Sequence, residues 1–522
     1  MKNHRRISIL CLIISITFIP FTWSKAQVVI DWQKCLGGTQ SDIPFSIQHT
    51  TDGGYIVVGE SESSDGDVTQ NFGNRDAWLI KIDSLSNLQW QVSLGGGNIE
   101  FAYKVIQTQD NGYIVGGSSY SNICPGANSN MWFLKTDSIG NILWQQCYGG
   151  GNFEGIYSFQ PTTDGGFIVI GTTAGPLPGG ADVMVVKCDS IGNLLWVQTY
   201  GGSSSDFGID ILQTADNGYM ILSDADSQDG DITFSHGNEE YLLLKIDSVG
   251  NVVNSKCLGG SKRDTPRSFY QTNDGGFIIV GHSRSVDGDV TGNFNSNGYY
   301  TDIWVVRIDS LANILWEQNF GGHDIDEGYS IYPVNGGGSV IVGSTYSNSG
   351  NVSGNHGLWD IWVFKIDDFG NIIWQKCFGG SMNDQGHSII QDSNGDFVIA
   401  GSTTSNDYDV SGLHSVNLED YWIFHLANVT GIDEFQNINN HFEVYPNPFT
   451  DEVNLTLKNL NGKEVTIEIY NIYGQLVSVI PQETIQSDLK FVKKDLNQFP
   501  SGVYIVNFRI STGIYTQRLI KL

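Results

Sequence analysis

The sequence predicts an all-β protein: a seven-bladed β-propeller of four-stranded blades, closed by its N-terminal strand, followed by a small immunoglobulin-like β-sandwich. Three observations carry this expectation. A Gly-Gly pair recurs at Gly37, Gly95, Gly149, Gly201, Gly259, Gly321 and Gly379. Each recurrence is followed by the same order of strand-like and turn-like segments, the signature of a repeat architecture. The composition, with 63 glycines, 12% aromatic and only 16% charged residues, suits many short strands joined by tight turns.

The first unit shows how the elements follow from the residues. Pro44 to His49 alternates weakly, Asp52-Gly53-Gly54 makes a tight turn, and Tyr55 to Gly59 is a continuous apolar strand. Together they form a hairpin. After a variable loop, Asp76 to Ile82 is a third strand, Asp83 to Asn87 turns, and Leu88 to Leu94 is a fourth strand bearing Trp90. Turns that need positive φ favour Gly, Asn or Asp, which accounts for Asp110-Asn111-Gly112, Asp164-Gly165-Gly166, Asp216-Asn217-Gly218 and Asp274-Gly275-Gly276 at the matching places.

The ends of the repeat predict how the ring closes. An orphan tryptophan strand, Val28 to Leu36, precedes the first unit, whereas the last unit stops after its third strand, Asp420 to Leu426. Pairing these two segments completes a seventh blade and removes the open ends that an array would have to cap. Trp78, Trp132, Trp304, Trp362 and Trp422 recur on third strands; Trp90, Trp144, Trp196, Trp316 and Trp374 join Trp32 on fourth strands. Such regular aromatics are expected to pack blade on blade. Unit four has Leu242 and Asn254 instead, so it is expected to be the softest blade.

Residues 1–26 read as an export signal: Lys2, His4, Arg5 and Arg6, an apolar run from Ile7 to Trp23, then Ser24-Lys25-Ala26 before Gln27. Cys11 lies inside the run without a small-residue lipobox, which argues against a lipoprotein, and no later segment is apolar enough to span a membrane. The balance of 27 basic against 56 acidic residues gives a formal charge of -29. That repels nucleic acid and anionic lipid and leaves cationic partners or divalent metals open. Cys35, Cys147, Cys257 and Cys377 each stand two residues before a Gly-Gly pair. Equivalent positions on different blades face separate environments, so these four are expected to be unpaired small apolar residues.

The segment Lys-Ile-Asp-Ser-x-Gly-Asn-x-x-Trp, carried by Lys245 to Asn251 and Lys365 to Trp374, resembles the repeat of quinoprotein-type propellers. The likeness covers about ten residues per blade and implies architecture rather than dehydrogenase chemistry, since no matching set of cofactor ligands accompanies it. No cofactor is expected.

After Leu426 the repeat stops, residues 427–441 read as a linker, and a new domain runs over residues 442–522. Alternating strands at Glu452 to Lys458, Val465 to Tyr470, Gln475 to Ile480, Lys490 to Val492, Val503 to Ile510 and Tyr515 to Leu522 give the sandwich pattern. Tyr445-Pro446-Asn447-Pro448-Phe449, the run from Asn471 through Gly474 to Val477, Phe499-Pro500-Ser501-Gly502-Val503-Tyr504 and the ending Arg518 to Leu522 closely resemble the type A C-terminal sorting domain of type IX secretion cargo in Bacteroidetes. The resemblance implies an address read by the outer-membrane translocon, after which the domain is commonly removed and the cargo anchored at the surface or released.

Two polar patterns are candidates for chemistry. An acidic residue follows every Gly-Gly: Asp42, Glu100, Glu154, Asp206, Asp264, Asp326 and Asp384. These could ring one mouth of the channel as a cation site, but the reading preferred here is structural, with each carboxylate accepting hydrogen bonds at a blade junction. Asp-Gly-Asp recurs on the loop before the third strand, at Asp65 and Asp67, Asp229 and Asp231, and Asp287 and Asp289, echoed by Asp407 and Asp409. Oxygen-rich loops suit Ca²⁺, although the twelve-residue calcium-loop pattern is absent. His49, His236, His282, His323, His356, His387, His414 and His425 read as scattered, without repeat-equivalent or metal-ligand spacing, and no nucleophile motif stands out. The expected function is a non-catalytic surface module that binds glycan or protein through the loops before the third strands. The alternative is an extracellular polysaccharide hydrolase or lyase with its pocket at the channel mouth.

Overall fold

A computed structural model describes residues 28–427 and 442–521, apart from 125–127, 150–153, 175–179, 233, 295–297 and 335–336 in the first stretch and 446–448, 450–451, 459–463, 472–475, 485–488, 498, 501 and 511–512 in the second. Residues 1–26, expected to be an export signal, and all but the first of residues 427–441, expected to be a linker, lie outside the described residues. The chain divides into a unit spanning Val28–Asn428 and a second containing Val429–Leu522. Among the described residues all regular elements are strands, and no helix is long and apolar enough to cross a membrane.

The larger unit is a ring of seven four-stranded antiparallel blades. Blade one is β2 (Asp42–His49), β3 (Tyr55–Ser61), β4 (Asp76–Ile82) and β5 (Leu88–Leu94), preceded by β1 (Val29–Leu36). Blades two to six repeat this order as β6–β9 (Glu100 to Tyr148), β10–β13 (Glu154 to Tyr200), β14–β17 (Asp206 to Leu258), β18–β21 (Asp264 to Phe320) and β22–β25 (Asp326 to Phe378). Blade seven contains β26 (Asp384–Gln391), β27 (Phe397–Thr403) and β28 (Asp420–Ala427), with β1 as its outer strand. The antiparallel register runs from Val29 opposite Ala427 to Leu36 opposite Tyr421, so the two ends of the repeat close the ring as expected.

Burial explains why the second and third strands of each blade are such continuous apolar runs. β3, β4, β19 and β20 are buried along their whole length, because both faces of a middle strand lie against neighbouring blades. The third-strand tryptophans Trp78, Trp132, Trp304, Trp362 and Trp422 are at most 1% exposed. Their indole N–H groups donate across the blade to Gln91, Gln145, Glu317, Gln375 and Gln33 at 2.7–3.0 Å. Gln33 belongs to β1, so the closing strand supplies the polar partner that fourth strands supply elsewhere. Blade seven also stacks on blade one, with the Tyr421 and Trp78 rings 4.8 Å apart.

One expectation fails. Cys147 is not free but forms a disulfide with Cys124, with Cα atoms 5.6 Å apart. The argument from equivalent positions holds between blades but overlooks a partner within the same blade: Cys124 stands on the loop before β8, a segment with no cysteine in the other units. Cys35, Cys257 and Cys377 are buried free thiols, as is Cys188.

The smaller unit contains β29 (Phe442–Tyr445), β30 (Glu452–Lys458), β31 (Glu464–Asn471), β32 (Leu476–Thr484), β33 (Leu489–Asp495), β34 (Gly502–Ile510) and β35 (Gly513–Lys521). They form sheets in the orders β29-β30-β33 and β32-β31-β34-β35. Val453 and Leu455 from one sheet share a core with Ile467, Ile469, Val506 and Phe508 from the other.

Candidate functional site

The seven carboxylates that follow Gly-Gly open the innermost strands, and all are buried, at 0–3% exposed. They therefore present no open acidic ring to solvent. In six blades the N–H of the second glycine donates to the acid at 2.7–2.9 Å, as Gly38 does to Asp42 and Gly96 to Glu100. Serine hydroxyls at the start of the following loop add bonds of 2.6–2.9 Å to Asp42, Asp206, Asp264, Asp326 and Asp384. The Glu154 carboxylate accepts from Thr173. Burial still dominates, lifting Asp42, Asp264, Asp326 and Asp384 to about 6.

The Asp-Gly-Asp carboxylates clasp the same turns from outside. Asp65 accepts the Thr39 N–H at 2.8 Å and Asp67 the Gly37 N–H at 3.3 Å. Asp229 and Asp231 hold Ser203 and Gly201, and Asp287 and Asp289 hold Ser261 and Gly259, in the same way. These bonds keep Asp65 and Asp287 below the usual carboxylate range. The three pairs sit on three different blades, and none belongs to the group of side chains that is close enough to share one ion among the described residues.

The histidines are more ordered than their spacing suggests. His236, His356 and His414 do one job in three blades: Nδ1 meets the acid that opens the third strand, Glu240, Asp360 or Asp420, at 2.7–3.0 Å. His236 and His414 then reach Asp289 and Asp67 of the next blade at 3.7 and 3.4 Å. His236 and His356 each stand four residues before the acid that opens the third strand, a spacing legible in the sequence, whereas the longer loop before β28 puts His414 six residues before its acid.

A feature that sequence reasoning missed lines the axis of the ring. Each innermost strand carries a register shift at the same place, between Pro44 and Ser46 in β2 and between Ala102 and Lys104 in β6. The extra residue is Phe45, Tyr103, Tyr157, Ile209, Arg267, Tyr329 or His387. Ring centroids lie 5.1 Å apart for Tyr157 and Tyr103, 5.0 Å for Tyr103 and Phe45, 6.0 Å for Phe45 and His387, and 5.7 Å for His387 and Tyr329. The Arg267 guanidinium ends the arc, 5.5 Å from the Tyr329 ring. Burial, aided by Arg267, pushes His387 down to about 4, so its imidazole is neutral at pH 7. The available signal was the residue three places after each acid that follows Gly-Gly, a phenylalanine or tyrosine in four units of seven and a histidine in a fifth.

Charged groups near the acid-bearing ends of these strands break the seven-fold pattern further. Burial lifts Glu60 to about 7 despite an Arg75 ion pair of 2.8 Å, and lifts Asp224 to about 7 with help from Glu239. Arg75 also lies 5.6 Å from the Phe101 ring.

Residues 443–522 match the secretion system C-terminal sorting domain. This tail supports type IX secretion cargo and implies delivery to the cell surface or exterior. Tyr445 ends β29 and Gly502 opens β34, while Pro446, Asn447, Pro448 and Gly474 lie outside the described residues. Over 262 residues the chain is 24% identical to the regulatory protein FlaEY of Caulobacter vibrioides, covering 48% of this chain and 26% of that protein. Over 108 residues it is 31% identical to an ulvan lyase of Nonlabens ulvanivorans, covering 20% of this chain and 19% of that protein. The match spans about a quarter and a fifth of the lengths of these two relatives. Among solved structures, PorZ, a bacterial surface component of the type IX secretion system of Porphyromonas gingivalis, is similar over 94% of this chain and 75% of that one, at 10% identity and a TM-score of 0.33.

Proposed function

We propose that the chain, exported behind its N-terminal signal and handed to the type IX translocon by its C-terminal domain, works as a non-catalytic surface module that binds glycan. The observation that carries this reading is the arc from Tyr157 through Phe45 to Tyr329, because flat rings at 5–6 Å spacing offer stacking surfaces for sugar faces. Loops before the third strands add Phe72, Phe234, Tyr299 and Tyr408, exposed by 48–72%. Those loops stand at the same end of the blades as the Gly-Gly turns their aspartates clasp. With all seven repeat carboxylates committed to hydrogen bonds, the commonest acidic positions are occupied by architecture.

A second reading, hydrolysis or lysis of polysaccharide, draws on Glu60 and Asp224, whose raised values suit proton transfer near neutrality. Glycan-array binding by the secreted protein, paired with product analysis of the retained glycans, separates the two. Retention without turnover, weakened at least tenfold by Tyr103→Ala, supports binding; turnover abolished by Glu60→Gln or Asp224→Asn replaces it with the enzymatic reading.

A further inference from the structure

In blades one to five, the cation near the end of the third strand pairs with the aspartate of the first hairpin turn. Lys81 meets Asp52, Lys135 Asp110, Lys187 Asp164, Lys245 Asp216 and Arg307 Asp274, at 2.5–3.0 Å. Blade seven departs from this arrangement at several positions together. His425 replaces the cation and Asn394 the turn aspartate, while Asp392 stands where blade one has Thr50 and Asp396 where it has Gly54. A Cβ at Gly54 would meet the Ile82 carbonyl oxygen first and lie 2.5 Å from the Lys81 Nζ, so the turn of blade one has no room for an aspartate at this position. Blade seven instead brings two carboxylates and an imidazole together in one place.

We propose that Asp392, Asp396 and His425 bind one divalent transition ion of the zinc class in the closing blade. The three side chains offer ligand atoms that all lie within 4.8 Å of one another. His425 Nε2 stands 3.3 Å from Asp392 Oδ2 and 3.9 Å from Asp396 Oδ2. Ligand atoms about 2.0–2.2 Å from one tetrahedral ion stand roughly 3.3–3.6 Å apart, so the Asp392 separation fits and Asp396 has only a few tenths of an ångström to close. Asp392 Oδ1 accepts the N–H groups of Asn394 and Asp396 at 2.8 and 3.0 Å, which fixes the carboxylate with Oδ2 toward the imidazole.

His425 provides a second, independent observation. It is 7% exposed, and its Nδ1, on the side of the ring away from Asp392, faces the Asp31 carboxylate at 3.4 Å, within reach of a hydrogen bond after a small adjustment. A carboxylate behind the non-ligating nitrogen is the usual outer partner of a metal-bound histidine, holding the ring orientation and its basicity. The Trp32 ring, 5.6 Å away and within 12° of parallel, fixes the imidazole plane. An imidazole beside two carboxylates selects for zinc-class ions over Ca²⁺ and Mg²⁺, which take oxygen ligands. Trp32 and Asp31 both belong to β1, so the ion would tie the hairpin turn and β28 to the strand that closes the ring.

The test is a titration of the chelator-treated full chain with ZnCl2, read by calorimetry and thermal unfolding, with CaCl2 in parallel. The expected result is one zinc-class site whose occupation raises the melting temperature, with affinity at least tenfold lower in His425→Ala. The triple variant Asp396→Gly, Asn394→Asp, His425→Lys restores the pairing of blade one; it should fold, lose the site and no longer be stabilised by zinc. Absence of binding by the natural protein, equal binding by the triple variant, or stronger binding of Ca²⁺ than of Zn²⁺ at this site overturns the proposal.

Discussion

Asp302 and Asp326 converge on Gly321, so close that a Cβ there would lie 2.7 and 2.5 Å from their carboxylate oxygens. The same convergence recurs at Gly37 with Asp420 and Asp42, and at Gly201 with Asp182 and Asp206. The first glycine of the pair is thus required by two acids that meet across a blade junction.

This meeting predicts an unusual pH profile. Burial, with Asp326 adding to it, raises Asp302 to about 8, and burial, with Glu100 adding to it, raises Asp76 to about 6 against its Phe72 N–H bond. An acid that binds its proton more tightly when folded favours the folded state below its raised value. That contribution declines as pH rises from about 4 through 6 to 8, on the order of 1.4 kcal/mol per pH unit for each responding group. The melting temperature should therefore be higher at pH 5 than at pH 8. Blade two carries Asn130 at the position of Asp302. Asp302→Asn should flatten the profile and raise the melting temperature at pH 8; an unchanged slope in thermal scans would count against it.

The Cys124–Cys147 bridge closes a loop with a sequence separation of 23. Its removal by Cys147→Ala should cost about 3 kcal/mol through unfolded-chain entropy. Cys257→Ala, a change at the same repeat position in a blade without a bridge, should cost about 1 kcal/mol. Denaturant unfolding of both variants measures the difference, which reductant should abolish.

Blade four should exchange its amide hydrogens fastest among the blades. Leu242 fills the tryptophan position without an indole N–H, Asn254 is exposed where others have the second tryptophan, and Ala225 removes the hydroxyl that Ser283 gives to Asp264 in blade five. Hydrogen exchange followed by mass spectrometry should show β14–β17 losing protection first.

Deletion of residues 442–522 should leave the protein inside the outer membrane while leaving the propeller folded. Fractionation of a producing strain, with immunodetection in periplasm, surface and medium, reads this directly. Undiminished surface display would remove the role assigned to the tail.

Repetition governs how much of this was legible in the sequence. Seven copies of a glycine pair and an acid, with a fourth-strand tryptophan in six of the blades, average out local noise, so blade count, closure and the packing role of Trp78 or Trp362 followed from the sequence. What escaped lies where repetition misleads. Cys124 has no counterpart in other blades; Phe45 faces the axis because of a register shift that no periodicity reveals; and His425 looked isolated because its relatives are lysines and an arginine. The metal-ligand types were visible, but their convergence depends on a turn folding back against a strand about thirty residues later.

The pairing of Val29 with Ala427 also sets a rule for manufacture. The first strand to be made is the last to find its place, because its partner is almost the final segment of the repeat. A chain cut short anywhere before Asp420 cannot seat β1, whatever blades it has already built. Completion of synthesis is in this way a condition of ring closure, and a truncated product reveals itself by the unpaired edge it leaves behind.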